Sequence, residues 1–243
     1  MVSCDDIGTL LVALKRFVVH CANDRAPLSL QPYFAGANLT ALEKKGNDVR
    51  PLAAGEVLRR IVSKVLCCME FSHAAKYFFP LQMGVAQKAG TERIVHSARR
   101  HFNRLKEGSD MFIMKIDLSN AFNRVSRRAM LTLVRKYFPR LTKWIEWCYT
   151  QNSILSYANW EIFSCQGVQQ GDPLGPLLFS LVLHEIIKKI NITCPDLLRN
   201  KWYVDDGGIM GKSSDLLKVL NILETEGPKY GIYINLQKIE VIY

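Results

Sequence analysis

The sequence predicts an α+β fold in which helices and short strands interleave around an antiparallel hairpin. Three observations carry this. Stretches with helical apolar spacing, such as "IGTLLVALKRFVVHCA", alternate along the chain with apolar runs of strand length, such as "MFIMKIDL". The segment "KWYVDDGGIMG", residues 201–211, reads as strand, turn and strand about two adjacent acids. The 243 residues are 49% hydrophobic and 22% charged, enough to bury one large core or two intimate subdomains.

Taken in order, the first helix covers residues 7–22, where apolar residues recur at helical spacing. "LTALEKKGNDVRPLAAGE" reads as two extended pieces around a polar turn from Lys44 to Asp48. A helical pattern then runs from Glu56 to about Phe79, with Arg59, Arg60 and Lys64 assigned to its polar side. In "TERIVHSARRHFNRLKEG", Ile94, Ala98, Phe102 and Leu105 make one face and Arg93, Ser97, Arg100 and Arg104 another, until Gly108 stops the helix. Ser126 can cap the helix whose inner stripe is Met130, Val134 and Tyr137. A further helix spans about Leu141 to Thr150, and "SILSYANWEIFSCQGV" reads as a hairpin turning at Ala158-Asn159. Asp172-Pro173 starts a helix, as N-cap and N1, that runs to about Ile190. Leu216, Leu220 and Leu223 mark one more helix, and "GIYINLQKIEVIY" reads as extended.

Lys and Arg number 32 against 22 acids, a formal charge of +10 that favours a polyanionic partner. The seven cysteines, at 4, 21, 67, 68, 148, 165 and 194, are odd in number and form no CxxC pair. That argues against a disulfide framework or a zinc site and for reduced thiols in the cytoplasm or nucleus. Asp5 and Asp6 stand where a secretory leader needs basic residues. The longest apolar run, "LLFSLVLHEII", is interrupted by His184 and Glu185, so no membrane association is expected.

The acidic pair poses a physical question. Two adjacent carboxylates between apolar flanks are costly to desolvate unless positive charge sits beside them. Asp-Gly is also a common surface turn, and a hairpin tip suits both readings. Asp117, 88 residues before Asp205 and at the end of its own strand, separates them. If that strand pairs beside the hairpin, three carboxylates converge into a cage for two Mg²⁺ ions, a device for phosphoryl transfer on polyphosphate substrates.

The motifs "KIDLSNAFNRVSR", "GVQQGDPLGPLLFSLVLHEI", "YVDD" and "GIYINLQKIEVI", preceded by "RPLAAGEVLRR", occur in the order and spacing found in reverse transcriptases. The set is most similar to the reverse transcriptases of LINE-like, non-LTR retrotransposons, over roughly residues 35–243. This resemblance implies a right-hand polymerase fold of palm and fingers, an antiparallel sheet with helices behind it. Residues 1–110 would be fingers with the first palm elements and 111–243 the palm, the two interleaved. The family continues into a primer-grip hairpin and a thumb, so a piece lacking the thumb is expected.

Position by position, the resemblance implies Asp117 and Asp205 as ligands of two Mg²⁺ ions, for which Mn²⁺ can substitute, with Asp206 a nearby acid of lesser role. Backbone amides at Leu118 and Asn120, Ala121 and Phe122 would face the triphosphate. Phe122 matches the steric gate that favours deoxynucleotides over ribonucleotides; a core phenylalanine is its other reading. Gln170 and Gly171 would contact the nascent pair, whereas Asp172 reads as structural. Arg50 matches an arginine that grips the triphosphate, Lys44 and Lys45 loosely match a fingers lysine, and Lys238 a lysine that protonates pyrophosphate. Arg59, Arg60 and Tyr203 would meet the template–primer. The implied activity is RNA-directed DNA polymerisation, with RNA template, DNA primer and dNTPs as partners. Two alternatives are a truncated, catalytically impaired nucleic-acid-binding remnant of a retroelement and an RNA-dependent RNA polymerase. Phe122 argues against the second.

Overall fold

The computed structural model describes residues 4–44, 48–103 and 108–242. In chain order these form α1 (Cys4–Ala22), α2 (Gln31–Phe34), β1 (Ala37–Lys44), β2 (Asp48–Gly55), α3 (Val57–Met69), α4 (Phe71–Phe78), α5 (Gly90–Phe102) and β3 (Phe112–Ile116). There follow α6 (Ala121–Arg124), α7 (Arg127–Tyr137), α8 (Thr142–Tyr149), β4 (Ser153–Tyr157), β5 (Trp160–Ser164) and α9 (Gly175–Thr193). The last elements are β6 (Arg199–Tyr203), β7 (Asp206–Gly211), α10 (Ser213–Glu226) and β8 (Glu240–Ile242). Helices and strands therefore alternate as the periodicities predict.

The chain divides into two compact units that interleave in sequence. The first comprises residues 1–69, 131–165 and 169–174 and is built on a sheet of order β2-β1-β4-β5. β1 and β2 pair antiparallel from Ala37↔Gly55 to Lys44↔Asp48, and β1 meets β4 in parallel. Behind the sheet, α3 buries Arg59, Val62, Ser63 and Leu66, one face at helical spacing. Trp144, fully buried on α8, donates its indole N–H to Ser63 Oγ at 3.1 Å.

The second unit comprises residues 70–130, 166–168 and 175–243, on an antiparallel sheet of order β6-β7-β3-β8. α9 is buried nearly all round, from Leu177 to Ile190, which explains why its sequence is apolar on every face. Asn200 of β6 reaches the carbonyl of Ile187 on α9, so the even-numbered residues of β6 face the core. Phe122 stacks on Phe179 of α9 with ring centroids 4.9 Å apart.

Several expectations are corrected. The helix read from Glu56 to Phe79 is two helices broken at Glu70, which is 3% exposed and bonded to His73 Nδ1 at 2.9 Å. α9 begins at Gly175, two residues beyond Pro173, because Asp172 Oδ1 instead accepts the Leu174 amide in a tight turn. The C-terminal stretch is mostly not extended: Leu236–Lys238 is a 3₁₀ turn and β8 has three residues. α5 ends at Phe102, and Arg104 and Leu105, read as part of that helix, lie outside the described residues.

Candidate active site

β3 is a central strand of its sheet because its alternation suits burial: Met114 and Ile116 lie in the core while Lys115 is exposed. It ends at Ile116, which pairs with Gly207 of β7, so Asp117 lies one step further, beside Asp206. Tyr203↔Asp206 is the last pair of the β6–β7 hairpin, leaving Val204 and Asp205 as its two-residue loop. Folding thus brings Asp117, Asp205 and Asp206 to one end of one sheet. Asp117 and Asp205 are half-buried and Asp206 is exposed.

The loop is strained, and a buried side chain holds it. Val204 sits at φ +55°, an unfavourable value for a β-branched residue. Gln82, fully buried, accepts the Val204 amide at 2.7 Å and the Gly84 amide at 3.0 Å, and donates to the Val204 carbonyl at 2.9 Å. The backbone beside it bridges β6, with Trp202 N–H to Leu81 O at 2.8 Å and Met83 N–H to Trp202 O at 2.7 Å. Gly84 permits the approach, since a Cβ there would lie 2.6 Å from Val204 N. Gln82→Leu is expected to destabilise the unit by about 2–3 kcal/mol through two orphaned polar groups of Val204. Val204→Gly in that background should recover about 1 kcal/mol by removing the strain. Chemical denaturation of the four variants of this cycle measures both.

Glycines 207 and 208 make room for neighbouring side chains. A Cβ on Gly207 would stand 2.8 Å from the buried Trp202 ring, and one on Gly208 would stand 3.2 Å from Arg199 Nη1. Each is the space a neighbour occupies.

Asp117 is gripped from the C-terminal segment. Asn235 donates its backbone N–H to Asp117 O at 2.9 Å and its amide Nδ2 to Oδ2 at 3.3 Å. Lys238 Nζ lies 3.8 Å from the same Oδ2. Ser119 N–H to Tyr233 O and Ser126 N–H to Tyr230 O, both 2.8 Å, lay this segment along residues 117–126. Arg124 stacks over Tyr233 at 3.7 Å. Lys115, on the acid-bearing face, has its pKa raised by its hydrogen bond to Glu240 and that residue's charge, with smaller contributions from Asp206 and Asp117.

Among the described residues, no three His, Cys, Asp or Glu side chains form a ready cation-holding cluster. The three acids share one end of the sheet. The donor set nonetheless fits a hard divalent cation, being all carboxylate oxygen, and one of the three already attracts an ammonium.

The remaining candidates fall as follows. Leu118 is buried and bridges Ile234, while Asn120, at φ +47°, opens α6 with Ala121 and half-buried Phe122 in its first turn. Tyr203 is 42% exposed on the face of Asp206. In the first unit, Gln170 passes its carbonyl to the Ala53 amide at 2.8 Å. Gly171 has φ +127° and no room for a Cβ, which would lie 2.4 Å from Ala53 O. Arg50 is exposed on β2 opposite Leu42, and Arg60 is exposed on α3. Lys44 ends β1, and Lys45 lies outside the described residues.

Arg59 is a correction. It falls on the buried stripe of α3, is 2% exposed, and pairs with Asp172 Oδ2 at 3.1 Å. It also donates to Ala35 O at 2.9 Å and to Gln169 Oε1. Asp172 Oδ2 accepts the Tyr149 hydroxyl at 2.7 Å as well. A guanidinium sealed in this network cannot contact a template phosphate. Asp172 is structural, as expected, but as the centre of a buried ion pair as well as a turn. Sequence reasoning missed Gln82, Asn235 and Gln169; the repeated Gln169-Gln170 in "GVQQGDP" was the one available signal, and it does not say which of the two faces inward.

Among the described residues, no helix is long and apolar enough to cross a membrane. The family described as "Reverse transcriptase (RNA-dependent DNA polymerase)" matches residues 42–243. The Retrotransposable element SLACS 132 kDa protein of Trypanosoma brucei gambiense is 29% identical over 84% of this chain and 17% of its own length. The type-2 retrotransposable element R2DM Pol polyprotein of Drosophila melanogaster is 24% identical over 74% of this chain and 18% of its own. The chain thus spans less than a fifth of these relatives. Among solved structures, a telomerase from Candida albicans, in complex with a TWJ fragment of telomeric RNA, aligns with TM-score 0.64 at 15% identity. That alignment covers 95% of this chain and 45% of the telomerase, and supports the right-hand fold of palm and fingers. With its acids at the tip of an antiparallel sheet and the family match running through both units, the chain belongs to the reverse transcriptase family and is similar to non-LTR retrotransposon proteins.

Proposed function

We propose that the chain is an RNA-directed DNA polymerase domain that extends a DNA primer on an RNA template. The second unit is the palm, and the sheet of the first unit belongs to the fingers. In the reaction the primer 3′-hydroxyl gives up its proton to solvent as its oxygen bonds to the α-phosphorus of a dNTP, the bond from that phosphorus to the bridging oxygen breaks, and pyrophosphate leaves. The observation that carries this reading is the register that sets Asp117 beside Asp206 and next to the Asp205 loop. Asp117 and Asp205 would hold two Mg²⁺ ions, for which Mn²⁺ can substitute, with Asp206 assisting; bound there, the ions supply Lewis-acid stabilisation of the attacking and leaving oxygens.

The chain's own residues do the rest. Gln82 fixes the loop bearing Asp205, and Asn235 orients Asp117. Lys238, whose Nζ lies 3.8 Å from Asp117 Oδ2, would give a proton to the departing pyrophosphate. The amides of Leu118, Asn120, Ala121 and Phe122 would face the triphosphate, with Arg50 and Lys44 or Lys45 as further cationic contacts. Gln170 and Gly171 would meet the nascent base pair, and Arg60 and Tyr203 the template–primer.

Phe122, braced by Phe179, would fill the space a ribose 2′-hydroxyl needs. Phe122→Ala is expected to cut discrimination against ribonucleotides by about 10–100-fold, as removal of a pocket wall does. Single-nucleotide incorporation with dNTP and rNTP in parallel measures it; unchanged selectivity would remove the gate. Primer extension on an RNA template with Mg²⁺ and dNTPs tests the function itself. Extension is expected with dNTPs; retained RNA binding without any extension would favour a non-polymerising binder, and preference for rNTPs an RNA polymerase.

A further inference from the structure

Edge strand β6 presents Arg199, Lys201 and Tyr203 in alternation, paired with Met210, Gly208 and Asp206 of β7. They share a face with Asp206 and Lys115. Arg199 is 5% exposed, yet its Nε and Nη2 have no hydrogen-bond partner among the described residues. An arginine cannot shed its proton to escape that cost. Its guanidinium lies over Gly208, whose missing side chain leaves the room.

Lys201 and Arg93 extend the charge. Lys201, half-buried, donates to the carbonyl of Pro80, and the preceding ring, Phe79, lies under the Arg93 guanidinium at 5.2 Å. Among the described residues none of the three cations has an acidic partner. Burial holds Arg199 and Lys201 below their ordinary pKa, and for Lys201 the charges of Arg199 and Arg93 push the same way. Exposed, half-buried and buried cations in sequence, with no counter-charge, are unfavourable unless an anion completes them.

We propose that Arg93, Lys201 and Arg199 form a phosphate site for the backbone of a nucleic-acid strand lying on the acid-bearing face of the palm sheet. The identity of the ligand rests on the polymerase reading above. Lys201 stands two residues, about 6.6 Å, along β6 from Tyr203, the partner of Asp206, so the phosphate held is close to the reacting end. Gly208, costly in a strand interior, is explained by the guanidinium it admits.

Two measurements on the chain test this without metal or triphosphate: thermal unfolding, and anisotropy of a labelled RNA–DNA primer–template over a salt series. Arg199→Met is expected to raise the unfolding midpoint, because an unpaired buried charge is gone, while weakening binding about tenfold and lowering the salt slope by about 1. Lys201→Gln should lower the slope similarly and keeps the test open if the Met variant fails to fold. A folded Arg199→Met variant with lowered stability and unchanged binding would show a merely structural arginine, and raised stability with unchanged affinity and slope would point to an acidic polypeptide instead; either overturns the proposal, as does Lys201→Gln with an unchanged slope. Wild-type protein that does not bind the primer–template at all would defeat the polymerase reading, a separately visible failure.

Discussion

Asp117→Asn and Asp205→Ala are each expected to lower nucleotide incorporation by about 10³-fold or more, with primer–template affinity changed little. Asp117 follows β3 and Asp205 lies in the β6–β7 loop, and the register brings them to one end of the sheet. If they share the work of holding cations, loss of either removes stabilisation of charge that develops only in the transition state. Such stabilisation is worth several kcal/mol, and about 4 kcal/mol corresponds to about 10³ in rate. Asp206, exposed at the first position of β7, should show a smaller loss. Single-turnover incorporation beside a binding assay separates chemistry from affinity. Extension that survives Asp205→Ala would remove that residue from the chemistry.

The largest stability effect is expected at Asp172. Its carboxylate meets Arg59, Tyr149 and the Leu174 amide at once, and all of it is buried. Asp172→Ala leaves a buried guanidinium without its counter-charge, and a hydroxyl and an amide without their acceptor, so a loss of about 3–5 kcal/mol is expected. The partner substitution should not add to it: Arg59→Met with Asp172→Leu removes both charges and is expected to recover a large part. Urea denaturation of the single and double variants reads this directly. Independent, additive losses would contradict a shared buried network.

What could be read from the sequence was local. β3 announced itself because a short apolar run ends on an acid, and the β6–β7 hairpin because two apolar runs flank a polar pair. The hairpin turning at Ala158-Asn159 is where the sequence predicts it, between β4 and β5. What could not be read depends on which residue of a helix turn faces inward, or on contacts between distant segments. Arg59 and Arg60 are adjacent basic residues, yet one lies on the buried stripe of α3 and the other outside it; one residue on a helix decides this. Gln82 reaches Val204 across 122 residues, and Asn235 reaches Asp117 across 118. No local pattern encodes such contacts. Nothing local to Gly207 and Gly208 shows that they make room for the Trp202 ring and the Arg199 guanidinium.

Diffraction from crystals holding Mn²⁺ and a deoxynucleoside triphosphate, collected for the anomalous signal of manganese, bears most directly on the polymerase reading. Manganese peaks are expected between the carboxylates of Asp117 and Asp205, with Lys238 displaced from Asp117 Oδ2. Ordered triphosphate with manganese elsewhere, and none at those two acids, would contradict that reading.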